Sequence, residues 1–203
     1  MLYHLGIDCD VPVTGHLAGF KASGIEFVCR YLPGGGKRKP LTQAEAKAIS
    51  QAGMFVVSVF ERGYPTTLGY FSYAHGLFHG ALAAVGARKV GQPTGGVIYA
   101  TVDSGTSGAA PALAYLIGFR AALKKRYKLG VYGPGNVCEA ALAAGIVSYT
   151  WLAAASAWPG YKPFRDGRRW NLLQEFVDVT VGGVKCDQNM SNGDGGGWQI
   201  RVQ

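Results

Sequence analysis

The sequence predicts an α/β fold, a compact (β/α)8 TIM-type barrel with one or two helices shortened or missing. Three observations carry that expectation. Short β-branched and aromatic runs alternate with alanine-rich helical ones, the pattern of a parallel sheet covered by helices. Eight such strand-like runs fit within 203 residues, near the lower size limit of the barrel. No Gly-x-Gly-x-x-Gly follows the first run, which argues against an open dinucleotide-binding sheet, while acids end several well-separated runs, and barrel strand ends converge on one face. One domain spanning residues 1–203 is expected.

Taken in order, the first strand covers residues 3–9 of "YHLGIDCD", which ends on Asp8 and Asp10. "GHLAGFKASG" follows as a short helix, and residues 26–32 form the second strand. The clearest helix is "LTQAEAKAISQAG": Thr42 caps its first turn, Glu45 sits three residues on, and Gly53 stops it. Strands at residues 54–61 and 96–103 end on Glu61 and Asp103, and helices over 70–90 and 109–127 follow them. Residues 129–133 and 148–154 are strands around a helix over 136–145, and 159–169 reads as loop. The last strands are 171–177 and 183–188, the latter carrying Asp187 in "GVKCDQN"; the tail "SNGDGGGWQIRVQ" is too glycine-rich for a full helix.

With 48% hydrophobic and 16% charged residues the chain is too apolar to be disordered. A net charge of +8 favours an anionic partner such as nucleic acid, a membrane surface or an acidic bacterial cell wall, and charge alone does not choose among them. The basic groups "GKRKP", "KKRYK" and "DGRR" lack regular aromatic interleaving, so they read as solvated surface, and no nucleic-acid groove is expected. Cys9, Cys29, Cys138 and Cys186 form no C-x-x-C pair, so no metal site is expected; buried thiols are the leading reading and one disulfide between neighbouring strands the alternative. No cofactor is expected, and a monomer is. The uncharged run from Ala140 to Tyr161 is too rich in Ala, Gly, Ser and Thr for a membrane span. The opening "MLYHLGID" lacks a signal-peptide pattern, so the expectation is cytoplasmic synthesis with release to the wall by a separate pore or secretion machine.

Strand side chains alternate, so Thr101 and Asp103 point one way, as do Val59 and Glu61. If that way is inward, Asp8, Glu61, Asp103 and Asp187 crowd one cavity. Crowded like charges raise at least one pKa, which lets one carboxyl hold a proton while another stays ionised, the division that glycosidic cleavage needs. The competing reading makes each acid structural, as a helix cap or as a partner of Arg30. Asp10 is out of phase and expected in solvent. Tyr31, Tyr99, Tyr132, Trp151 and Phe176 lie near the acids, and aromatic rings stack on sugar C–H faces; the alternative is that they are core. Glycines near Tyr132 leave its hydroxyl room to reach a reacting group.

The ordered segments "GID", "GIEFVCRYLPGGGK", "LTQAEAKAISQAGMFVVSVFE", "GVIYATVD", "GVYGPGNVCEAALAAG", "TWLAAA", "LLQEF" and "VGGVKCDQN" resemble the glycoside-hydrolase-like family also described as domain of unknown function 1906. The resemblance runs from about Leu5 to Asn189, and "FVCRYL" followed by the Thr42 helix is its most specific part. That family is similar to the family 25 glycoside hydrolases, lysozyme-like muramidases. The resemblance implies a barrel whose mouth faces bacterial peptidoglycan, with Asp8, Glu61, Asp103 and Asp187 as the catalytic set. Asp103 is then the general acid and Asp8 or Asp187 takes the second role. The expected glycan-contacting residues are Arg30, Tyr99, Tyr132, Trp151 and Glu175. The muramidases carry Asp-x-Glu at the end of the fourth strand, where Thr101 here replaces the first acid; Glu175 in "LLQEF" adds one. A glycan-binding barrel without turnover is the alternative function.

Overall fold

The computed structural model describes residues 3–36, 39–63, 65, 69–105 and 108–200. Its eight strands close into a barrel in chain order: β1 (Tyr3–Cys9), β2 (Ile25–Tyr31), β3 (Phe55–Phe60), β4 (Val97–Thr101), β5 (Lys128–Gly133), β6 (Tyr149–Leu152), β7 (Leu172–Val181) and β8 (Val184–Asn192). The helices are α1 (Leu17–Ala22), α2 (Gln43–Gln51), α3 (Tyr73–Lys89), α4 (Ala109–Leu123), α5 (Gly135–Ala143) and α6 (Tyr161–Asp166). Thr42 caps α2 by accepting the Glu45 N–H at 3.1 Å. Residues 159–169 contain the short helix α6 where loop was expected; Pro163 falls in its first turn, where a missing N–H costs nothing, and Phe164 is buried beneath it.

β1 to β7 pair in parallel, but β8 runs antiparallel to both β7 and β1. The absent helix is the β7–β8 crossover. Gly182 and Gly183, with φ of 55° and 81°, turn the chain straight back, a pair of positive φ values that side chains resist. Asp187 therefore sits near the start of its strand, not the end, and reaches the mouth because the strand is reversed. Its cross-strand partner is Asp8.

The barrel interior is filled by Phe27, Cys29, Val57, Val59, Val97, Tyr99, Tyr149, Trp151 and Leu172. Two strand glycines make room: a Cβ at Gly6 would lie 2.2 Å from the Phe27 ring, and one at Gly130 would lie 2.6 Å from Tyr99. Helices cover the outside through a second apolar layer that includes Ile7, Val28, Phe60, Leu116 and Phe119. α3 and α4 pack closely because Gly76, Gly80 and Gly118 leave no side chain between the backbones. Residues after β8 cross to β3, where Trp198 bridges Val56 and its indole donates to Ser58 Oγ at 2.9 Å. Among the described residues no helix is long and apolar enough to cross a membrane.

Candidate active site at the barrel mouth

Along most strands the inward positions become polar toward the mouth, as from Val57 and Val59 to Glu61, from Tyr99 to Thr101 and Asp103, and from Leu172 to Gln174. Asp8, Glu61, Asp103 and Asp187 all line one cavity of about 200 Å³ there, together with Tyr31, Val59, Thr101, Tyr132, Trp151 and Gln174. β4 lies four strands from β8 in the closed order, so Asp103, just past β4, stands on the wall opposite Asp187, and Glu61, just past β3, lies one strand round from it toward Asp8. A larger groove of about 540 Å³ shares Asp8, Tyr31 and Asp187 with this cavity and continues past Asp10, His16 and the β7–β8 hairpin. Asp10 is exposed, one residue past the end of β1.

Gln174 joins the two carboxyls on one wall. Its Nε2 donates at 3.0 Å to Asp8 Oδ2 and at 3.0 Å to Asp187 Oδ2. Its amide is held the right way round because Oε1 accepts the Tyr132 hydroxyl at 3.0 Å and the Ala154 N–H at 3.2 Å. Asn189 repeats the device: Oδ1 accepts the Trp151 indole at 2.8 Å, so Nδ2 donates to Asp8 Oδ2 at 2.7 Å. Asp187 Oδ1 accepts the Asp178 N–H at 2.8 Å. That N–H is turned inward by irregular β7–β8 register, with Asp178 itself at a φ of 57°.

Burial pushes the Asp8 carboxyl up to about 7; the Asp187 charge adds to the rise, while the Asn189 and Gln174 hydrogen bonds oppose it. Both amides bond Oδ2, so the proton of the neutral form belongs on Oδ1. Tyr31 is raised by burial and then by Asp8, Glu61 and Asp103, and Tyr132 by burial and then by Asp103 and Asp8, so both hydroxyls keep their protons. Thr101 is buried on the inward face and its hydroxyl donates to Phe60 O at 3.2 Å.

Three residues expected to touch glycan lie elsewhere. Arg30 is fully buried on the outer face of β2, where Nε bonds Glu45 Oε1 at 2.9 Å and Nη1 bonds Cys9 O at 2.7 Å. Its partner is thus Glu45, neither Asp8 nor Asp187. Tyr99 points inward but a layer too low, wholly buried, with its hydroxyl on Gly195 O at 3.0 Å. Glu175 is the extra residue where β7 steps from Gln174↔Asn189 to Phe176↔Gln188, and it is not among the residues of the mouth cavity. Phe176 is exposed on the hairpin and Trp151 and Tyr132 do reach the cavity. Sequence reasoning missed Gln174 and Asn189. The available signal was phase: Gln174 is two residues from inward-facing Leu172, as Asn189 is from Asp187.

A barrel that gathers four carboxyls and aromatic rings on the inward positions of its mouth is of the glycoside-hydrolase-like class. Residues 18–190 match the model described as Rv2525c-like, glycoside hydrolase-like domain, and the chain belongs to that family. It is 26% identical to Rv2525c of Mycobacterium tuberculosis over 186 residues, covering 88% of this chain and 75% of that protein. The crystal structure of that Tat-secreted protein with L-tartrate superposes with a TM-score of 0.77 at 25% identity, covering 97% of this chain and 98% of the other. The chain is 29% identical over 179 residues to the uncharacterized protein YbfG of Bacillus subtilis, covering 79% of this chain but spanning only 24% of that protein. A muramidase from Acremonium alcalophilum shares the fold with a TM-score of 0.59 at 13% identity, covering 96% and 95% of the two chains.

Proposed function

We propose that the protein hydrolyses the glycan of bacterial peptidoglycan with carboxyls on the two walls of the barrel mouth. The observation that carries this reading is the Gln174-bridged pair Asp8 and Asp187 facing Glu61 and Asp103 in one cavity. The relative named "Putative peptidoglycan hydrolase Rv2525c" and the muramidase that shares the fold point to the same substrate. A carboxyl lifted to about 7 holds its proton in the free enzyme, which suits it to protonate a leaving glycosidic oxygen. We therefore give Asp8 the acid role that sequence reasoning gave Asp103. Asp103, on the opposite wall, takes the second role, and Asp187 stands beside Asp8, joined to it through Gln174. Tyr132 and Trp151 act through Gln174 and Asn189 as positioning residues. The reaction uses no cofactor, the enzyme works as a monomer, and the Tat-secreted relative supports action outside the cytoplasm.

Turbidity loss of purified cell walls, with release of new reducing ends, tests this. Wild type should clear the walls, and Asp8→Asn and Asp103→Asn should each lose most turnover while still sedimenting with them. A second reading, a glycan-binding barrel without turnover, draws on Thr101, which replaces an acid and spends its hydroxyl on Phe60 O. Wild type that binds walls but releases no reducing ends from any preparation overturns the hydrolase reading in favour of this one.

A further inference from the structure

β1 and β8 meet in antiparallel register, with Tyr3 opposite Asn192 and Asp8 opposite Asp187. One more step of that register sets Cys9, the last residue of β1, opposite Cys186. Directly opposed residues of an antiparallel pair project to the same face with Cα atoms about 4.5 to 5.5 Å apart, inside the range of about 4.4 to 6.8 Å that a disulfide spans. Asp8 and Asp187 face inward, so Cys9 and Cys186 both face outward, and both belong to the apolar layer outside the barrel. Both also line the 540 Å³ groove, which gives a small reagent access to them. The remaining thiols are placed differently. Cys29 points into the barrel interior, on the opposite face from Cys9, and Cys138 lies on α5 against Gly133 and Trp151.

We propose that Cys9 and Cys186, both free thiols here, are an oxidisable pair that closes to a cross-strand disulfide by exchange with a small-molecule disulfide. One thiolate attacks a sulfur of the reagent, breaking its S–S bond and releasing one small thiol. The second thiolate attacks the protein sulfur of the mixed disulfide and releases the other. The reagent gains two electrons and the two thiol protons, and the protein gains one S–S bond. That bond clamps the root of the β7–β8 hairpin to the end of β1, one residue away from the Asp8 and Asp187 pair. It does not depend on the hydrolase reading. Burial raises both thiols, to about 11 for Cys9, and Asp8 reinforces the effect at each, so exchange quickens as pH rises.

Reduced full-length protein is incubated with excess glutathione disulfide at about pH 8 and then examined by intact mass, peptide mapping and thermal melting. The expected result is a loss of about 2 Da, a Cys9–Cys186 linked peptide, and a Tm rise of about 5 to 10 °C that dithiothreitol reverses. Cys29→Ser/Cys138→Ser should behave like wild type, whereas Cys9→Ser should stop at a glutathione adduct on Cys186 with no rise in Tm. Four thiols persisting after prolonged exposure, a link mapped to another pair, or an unresolved glutathione adduct on wild type overturns the proposal. Mapping on wild type decides the matter even where a serine variant fails to fold.

Discussion

Asp8 gives up most of its water on entering the mouth and receives two amide hydrogens in return, and the balance leaves its carboxyl near 7 against 3.8 in a model peptide. The consequence for stability follows from the sign of that shift. Below the unfolded value both states carry the proton; between the two values only the native state keeps it, so stability on the order of 4 kcal/mol is lost as pH rises from the unfolded value to the folded one at about 7, above which both states are ionised. Asp8→Asn, which never ionises, should therefore melt higher than wild type at about pH 8 and close to it at about pH 4, measured by thermal unfolding. With Asp8 as the acid, wall clearance by wild type should fall as pH rises through about 7 while the fold persists. A clearance rate that rises through the same range reverses the roles of Asp8 and Asp103. Gln174→Ala takes a donor from two carboxyls at once, and its expected effect is a loss of turnover together with a further upward shift of the Asp8 limb in the pH profile.

At the scale of elements, the loops around the mouth are held by a buried ion pair behind it. Arg30 on β2 bonds Glu45 on α2, the Cys9 carbonyl at the end of β1 and the Lys39 carbonyl, while Glu45 also accepts the Val13 N–H at 3.1 Å. Removing one partner strands the other's charge, so Glu45→Ala should destabilise the fold by about 3 to 5 kcal/mol in denaturant melts. Arg30→Met/Glu45→Leu, which removes both charges, should recover much of that loss. On the far side of the barrel, a Cβ at Gly76 of α3 would lie 1.9 Å from Tyr115 O of α4. Gly76→Ala should push the helices apart and cost about 1 to 3 kcal/mol despite its gain in helix propensity, again read from melts.

For the whole molecule, the net charge of +8 is carried in part by basic residues at strand entries, the end of the barrel away from the mouth. Lys124, Lys125 and Lys128 lie at the entry to β5 and Arg168 and Arg169 at the entry to β7, while Lys37 and Arg38 of "GKRKP" fall outside the described residues. Arg169 is paired with Glu139, which lowers its value to a polyanion. We expect nucleic acid to bind weakly, without sequence preference and with a steep salt dependence in a titrated binding assay. Tight, sequence-selective binding at physiological salt argues against a wall-directed role.

The amino-acid sequence by itself determined the number and order of the strands, the α2 cap and stop, and the delivery of Asp8, Glu61 and Asp103 to strand ends, because these depend on local propensity and on a two-residue alternation. It did not determine the direction of β8. A strand-like run reads alike in either direction, and only closure of the barrel decides that Gly182 and Gly183 reverse the chain and set Asp187 against Asp8. Nor did it separate Arg30 and Tyr99, which a wall of helices and a filled interior take out of the mouth, from Tyr132 and Trp151, which stay in it. Residue type drew attention to Glu175 when phase favoured Gln174, and what Gln174 does depends on four groups on β1, β5, β8 and the segment after β6. Hydrogen-bond partners that far apart in the chain are chosen by packing in three dimensions, and so is the burial that lifts Asp8.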